Sequence, residues 1–169
     1  DYFLVGSDQI WNPNYGWLNS IDLLSFADNS KRIAFSASFG VSEIPEEYNQ
    51  EVAKQLKQFK AISVREEAGA KIVEKLTGRN DVEVLVDPTM LLTTNEWDAV
   101  ARQPKQYKGE KYILCYFLGQ LSAQRQKEIE RITKEKDCKI ISILDKNDSY
   151  YASGPSEFVW LEKHAELIC

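Results

Sequence analysis

The sequence predicts an α/β protein built on parallel sheets, and three observations predict it. Six short apolar runs lie at residues 2–5, 32–35, 61–64, 82–86, 111–117 and 139–144. They are rich in β-branched and aromatic residues and mostly do not alternate with polar ones, as expected of strands buried on both faces. Helical patterns fall between them, and regular alternation of strand and helix specifies a parallel sheet covered by helices.

Each element has its own signal. After the first two runs, Tyr48, Val52, Leu56 and Phe59 recur at three- to four-residue spacing and form one helical stripe. Ile72, Val73 and Leu76 form a second stripe after the run at 61–64. Thr93-Thr94-Asn95-Glu96 is a capping box that opens a helix carrying Trp97. The polar segment 102–110, with Pro104 and Gly109, interrupts the alternation and reads as a linker. Past it, Ser122 caps a helix bearing Ile129 and Ile132. The expected division is therefore residues 1–104 as one Rossmann-like segment and 105–169 as a second. Residues 1–5 read as a strand already under way and 167–169 as a strand beginning. The expectation is thus the C-terminal portion of one domain followed by the N-terminal portion of the next.

Composition narrows the function classes. A formal charge of −5 and an isoelectric point near 5.1 speak against a nucleic-acid-binding surface. Cys115, Cys138 and Cys169 have no paired spacing and read as reduced, mostly buried thiols. With His164 the single histidine and no Cys-x-x-Cys, a zinc centre has no ligand set, and no metal is expected. No apolar run approaches the roughly 20 residues of a membrane span.

In parallel α/β sheets ligands bind beyond the carboxyl ends of the strands, and four such ends carry unusual residues. These are Gly6-Ser7-Asp8-Gln9, leading into Trp11 and Asn12; Ser36-Ala37-Ser38-Phe39-Gly40; Arg65-Glu66; and Asp87-Pro88-Thr89. Small residues let a ligand approach the backbone, while serine hydroxyls and free amides suit phosphate or carboxylate oxygens. Arg65 offers a planar cation that matches either group and is expected to serve a ligand, with little part in folding. Asp8 is the candidate catalytic base toward a hydroxyl. Gly6, Ser7, Gln9, Trp11, Asn12, Ser36, Ser38, Gly40, Arg65, Glu66, Asp87 and Thr89 are the candidate substrate-binding residues. Each loop also has a plain structural reading as a turn, cap or tight strand–helix contact, and Trp11 is more often core than ligand platform. Residue chemistry alone reaches an anion or sugar site.

The wording of these loops goes further. Residues 6–13 (GSDQIWNP), 32–40 (RIAFSASFG), 62–66 (ISVRE) and 86–92 (VDPTMLL) resemble the polysaccharide pyruvyl transferase family, in the family's order. Residues 154–158 (GPSEF), followed by His164-Ala165, resemble the stretch before the family's Ser-x-His-Gly segment. The resemblance implies parts of two Rossmann-like domains of a glycosyltransferase-B-type architecture. It implies transfer of pyruvate from phosphoenolpyruvate, the donor substrate, to sugar hydroxyls as a ketal in bacterial cell-surface polysaccharide synthesis, with no cofactor. The acceptor would be a sugar or lipid-linked glycan. The location would be the cytoplasm, with peripheral attachment to the inner membrane left open, and the edge near 139–144 invites self-association. The family's donor-site histidine has no counterpart in residues 1–169, so this chain alone is expected to be inactive. Two alternatives stand: a related enzyme using a nucleotide sugar, and a non-catalytic interaction module.

Overall fold

A computed structural model of the chain describes residues 1–16, 18–117, 119–143 and 154–169. It is a mixed α/β structure with two parallel sheets in two units, Asp1–Leu92 and Thr93–Cys169. Leu144, the end of the sixth expected strand, lies outside the described residues.

In the first unit, β1 (Phe3–Val5), β2 (Arg32–Ala37), β3 (Ala61–Val64) and β4 (Glu83–Val84) stand side by side in that order, all parallel. Two helices connect them. α1 (Glu46–Leu56) carries Glu46 and Glu47 in its first turn, where carboxylates suit the positive helix end. α2 (Glu67–Thr77) stops at Gly78, which takes the left-handed conformation that favours glycine. The two helices pack against each other. The core joins Trp11, Leu23, Phe39, Val52, Leu56, Phe59, Val64 and Val73. Arg32 is buried at the start of β2. Among the described residues its guanidinium is held by neutral acceptors: the Ala27 and Ser25 carbonyls and the Gln55 and Gln58 side chains.

The two outer strands depart from the expectation of burial on both faces. Phe3 and Leu4 are exposed on β1, and Glu83 and Val84 on β4. Both strands stand at the ends of the four-stranded order, and among the described residues each pairs on one side. Apolar composition reports a strand's affinity for burial and does not report its place in the sheet.

In the second unit β5 (Tyr112–Tyr116) lies between β6 (Lys139–Ile143) and β7 (Leu167–Ile168), again all parallel. Alternate residues of β5 enter two different cores. Tyr112 and Leu114 join Leu161 of α5 (Pro155–His164), whereas Ile113 and Cys115 join Ile129 of α4 (Ala123–Lys136). Period-two side-chain alternation with both faces covered explains why this strand reads as an unbroken apolar run. The Thr93 capping box is present, opening α3 (Thr94–Val100), and Ser122 caps α4. α3 is tied to α5 by Lys163–Asp98 at 2.6 Å. Segment 102–110, read as a linker, docks into the second unit through Tyr107, which meets Tyr112 and Trp160 edge-on. His164 stacks on Trp160 within α5, its Nδ1 at 2.8 Å from the Trp160 carbonyl oxygen.

Candidate functional site

The parallel register puts the carboxyl ends of all four strands of the first unit on one sheet edge, and the four loops singled out above leave from it. The loop after β1 is zipped to the loop after β2: Ser38 N donates to the Asp8 carbonyl at 3.2 Å and Trp11 N to the Ser38 carbonyl at 3.1 Å. Two glycines make this approach feasible. Gly6 has φ +142°, and a Cβ there would run into the Phe35 carbonyl; Gly40 has φ +64°, and a Cβ there would run into the Gln9 side chain.

Arg65 is the hub. Its Nη1 donates to Asp87 Oδ2 at 3.0 Å and its Nε to Glu66 Oε1 at 3.4 Å. Its Nη2 faces Asp8 Oδ1 at 4.0 Å, beyond hydrogen-bond reach. Asp87 in turn accepts from Thr89 N at 3.0 Å and Thr89 Oγ1 at 2.9 Å, both on Oδ1. These bonds, led by the Thr89 amide and joined by Arg65 and Ser7, hold the Asp87 carboxyl down to about 2, against a smaller opposing effect of burial. Arg65 directly precedes α2, whose N-cap residue, Glu66, makes no side-chain cap bond.

The structure thus links Ser7, Asp8, Arg65, Glu66, Asp87 and Thr89 in one cluster, with Ser36 joined to it through the Val86 carbonyl at 2.8 Å. Asp8 has a side chain 84% exposed, open to a ligand hydroxyl. Gln9, Asn12, Ser38 and Gly40 form a second, adjoining set. In it Asn12 Nδ2 donates to Gln9 Oε1 at 2.6 Å and Gly40 N to Ser38 Oγ at 3.0 Å. Trp11 stands apart: fully buried, it packs on Phe39 and Phe59 and donates Nε1 to the Asp22 carbonyl. Its ring is core.

Arg65 is expected from the sequence to serve a ligand with little part in folding. It has three carboxylates around it and binds the loop after β3 to the loop after β4, so it has a part in folding as well. Ser63, which is not among the candidates above, is a buried hydroxyl in the middle of the run Ile62-Ser63-Val64, and its Oγ accepts from Ser36 N at 2.9 Å. Among the described residues, no group of three His, Cys, Asp or Glu side chains could hold a metal ion, and no helix is long and apolar enough to cross a membrane.

Fold and edge together define a class: a parallel-sheet α/β protein whose strand-end loops gather one arginine and three carboxylates. The family model for polysaccharide pyruvyl transferase matches residues 1–169, the whole chain, and the chain belongs to that family, a family of transferases. No curated protein and no solved structure matches it.

Proposed function

We propose that the protein carrying this chain transfers pyruvate from phosphoenolpyruvate to two hydroxyls of a glycan, in the synthesis of a bacterial surface polysaccharide. The observation that carries this reading is the open end of the Arg65 cluster. Nη2 makes no hydrogen bond among the described residues and lies beside the exposed Asp8 carboxylate, so a donor for an anion adjoins a base for a hydroxyl. Membership in the polysaccharide pyruvyl transferase family supports the reading.

The reaction balances without a cofactor. The enol carbon of phosphoenolpyruvate gains a proton, which makes the adjacent carbon electrophilic, and one sugar hydroxyl adds there. The second hydroxyl then displaces phosphate and closes the cyclic ketal. Of the two hydroxyl protons, one is accounted for by the new methyl group and the other by the released hydrogen phosphate. Asp8 takes a hydroxyl proton; Arg65 neutralises phosphate or carboxylate oxygens as charge moves onto them. Gly6 and Gly40 let the first two loops close on each other, the buried Ser36 and Ser38 hold those loops in shape, and Ser7, Thr89 and Glu66 hold the charged pair in place.

The test is phosphate release from phosphoenolpyruvate by the complete protein, with and without a glycan bearing paired hydroxyls. Acceptor-dependent release with ketal formation is expected. Turnover of a nucleotide sugar in its place, or of neither donor, would overturn the reading. Residues 1–169 contain no Ser-x-His-Gly segment, so this chain alone is expected to release no phosphate.

A further inference from the structure

The sheet of the first unit is irregular at one place, immediately beneath the Arg65 cluster. β2 pairs with β3 as Ala34↔Ile62 and next as Ala37↔Val64, so β2 spends three steps where β3 spends two. The extra residue makes a bulge, a device that re-aims a side chain at a sheet edge. Within it Ser36 is fully buried with φ +51°, a left-handed conformation that is strained for a non-glycine residue. A bulge also breaks the ladder, and here a side chain repairs it: Ser36 N donates to Ser63 Oγ at 2.9 Å, and Ser63 Oγ donates to the Ala34 carbonyl at 3.2 Å.

The re-aimed side chain has a defined target. Ser36 Oγ donates to the Val86 carbonyl at 2.8 Å, one residue before Asp87. Asp87 holds Arg65, and Arg65 N is itself bonded to the Ala37 carbonyl at 3.1 Å, at the far end of the bulge. Ser63, Ser36, Asp87 and Arg65 therefore form a closed circuit through three strands.

We propose that Ser63 is a positioning residue: by filling the broken ladder it holds the bulge, and through Ser36 it sets the Asp87–Arg65 pair. That this pair serves phosphoenolpyruvate rests on the function proposed above; that Ser63 sets its geometry does not.

The experiment uses Ser63→Ala, Ser63→Thr and Ser36→Gly in the complete protein, with two readouts. The first is the Asp87 carboxyl titration followed by ¹³C NMR, which needs no substrate. The groups facing that carboxyl are Ser7, Arg65 and Thr89, with Asp8 and Glu66 on the far side of the guanidinium. From about 2 in the parent, the midpoint should rise in Ser63→Ala as the Arg65 bond weakens, with the Thr89 bonds keeping it below the ordinary aspartate range, and stay in place in Ser63→Thr, which keeps the hydroxyl. Ser36→Gly relieves the left-handed strain but cuts the link to Val86, so it should show the same rise without loss of thermal stability. It also keeps the test decisive if Ser63→Ala does not fold. An unmoved titration in both Ser63→Ala and Ser36→Gly would overturn the proposal. The second readout is kcat/KM for phosphate release, expected to fall roughly tenfold in Ser63→Ala and to recover in Ser63→Thr. A moved titration with unchanged kinetics would leave the positioning role standing and refute the assignment of Arg65 to the donor.

Discussion

Asp87→Asn is the sharpest single test of the charged cluster, because the change is nearly isosteric. Both Thr89 donors sit on Oδ1, and an asparagine oxygen can keep them. Oδ2, which faces Arg65 at 3.0 Å, becomes an amide nitrogen, so a donor meets a donor and the charge is lost. A carboxyl held at about 2 against an ordinary value near 4 stabilises the fold by at most about 2.5 kcal/mol at neutral pH. Both side chains are about a quarter exposed, and solvent screening reduces this to about 1–2 kcal/mol. The sign follows from the depressed value. The stabilisation is complete above the unfolded-state value and is lost as pH falls from about 4 to about 2. Urea midpoints of the parent and the variant should therefore differ by a constant amount between pH 7 and 5, and converge below pH 4. A gap independent of pH would refute the reasoning, as would equal stability at pH 7.

Other perturbations probe separate parts of the structure. Arg65→Lys replaces a planar fork by a single point, so kcat/KM for phosphate release should fall roughly tenfold or more; parent-like kinetics would remove Arg65 from the site. Gly6→Ala places a Cβ against the Phe35 carbonyl at a φ that L-residues avoid, and should cost about 2 kcal/mol or more in urea denaturation. Tyr112→Phe deletes the buried hydroxyl that donates to the Leu161 carbonyl at 2.7 Å, and should lower stability by about 1 kcal/mol while leaving the Asp87 titration unmoved.

The class of fold was legible because burial writes itself into composition: β5 lies between two helices and reads as an unbroken apolar run. Caps were legible for a similar reason, since the Thr93–Glu96 and Ser122 signals are local hydrogen-bonding patterns. Strand order was not. Nothing in residues 2–5 or 82–86 says that they stand first and last in the four-stranded order. The site was legible as a set of loops, since the rule placing ligands at strand carboxyl ends needs only strand order along the chain. Its wiring was not. The bulge depends on a mismatch between two strands, and Ser36 has its left-handed φ through contacts with Ser63 and Val86, residues 27 and 50 positions away. Trp11, named as a ligand residue by its neighbours in sequence, turns inward to Phe39 and Phe59.

The winding of the first sheet explains why an arginine just after β3 is the hub. Its four strands lie in chain order, and right-handed crossovers in such a sheet all pass over the same face. Their outgoing loops therefore turn the same way and line up side by side: Asp8 after β1, Ser36 and Ser38 at the end of β2, Arg65 after β3 and Asp87 after β4. Neighbouring strands are about 4.8 Å apart, so Asp8 and Asp87 belong to strands separated by about 14 Å. One side chain has to span most of that distance if the row is to act as a unit. A guanidinium just after β3 can do so, because its fork directs separate nitrogens to either side: Nη1 to Asp87 at 3.0 Å, and Nη2 toward Asp8 at 4.0 Å across the intervening strand. An ammonium is a single point and meets one end or the other. On the Asp87 side the row is closed by hydrogen bonds; on the Asp8 side it is open by about one ångström more than a bond. Asp8 Oδ1 instead accepts from Gln9 N at 2.7 Å, so the Asp8 end of the row is anchored to its own loop and not to the guanidinium.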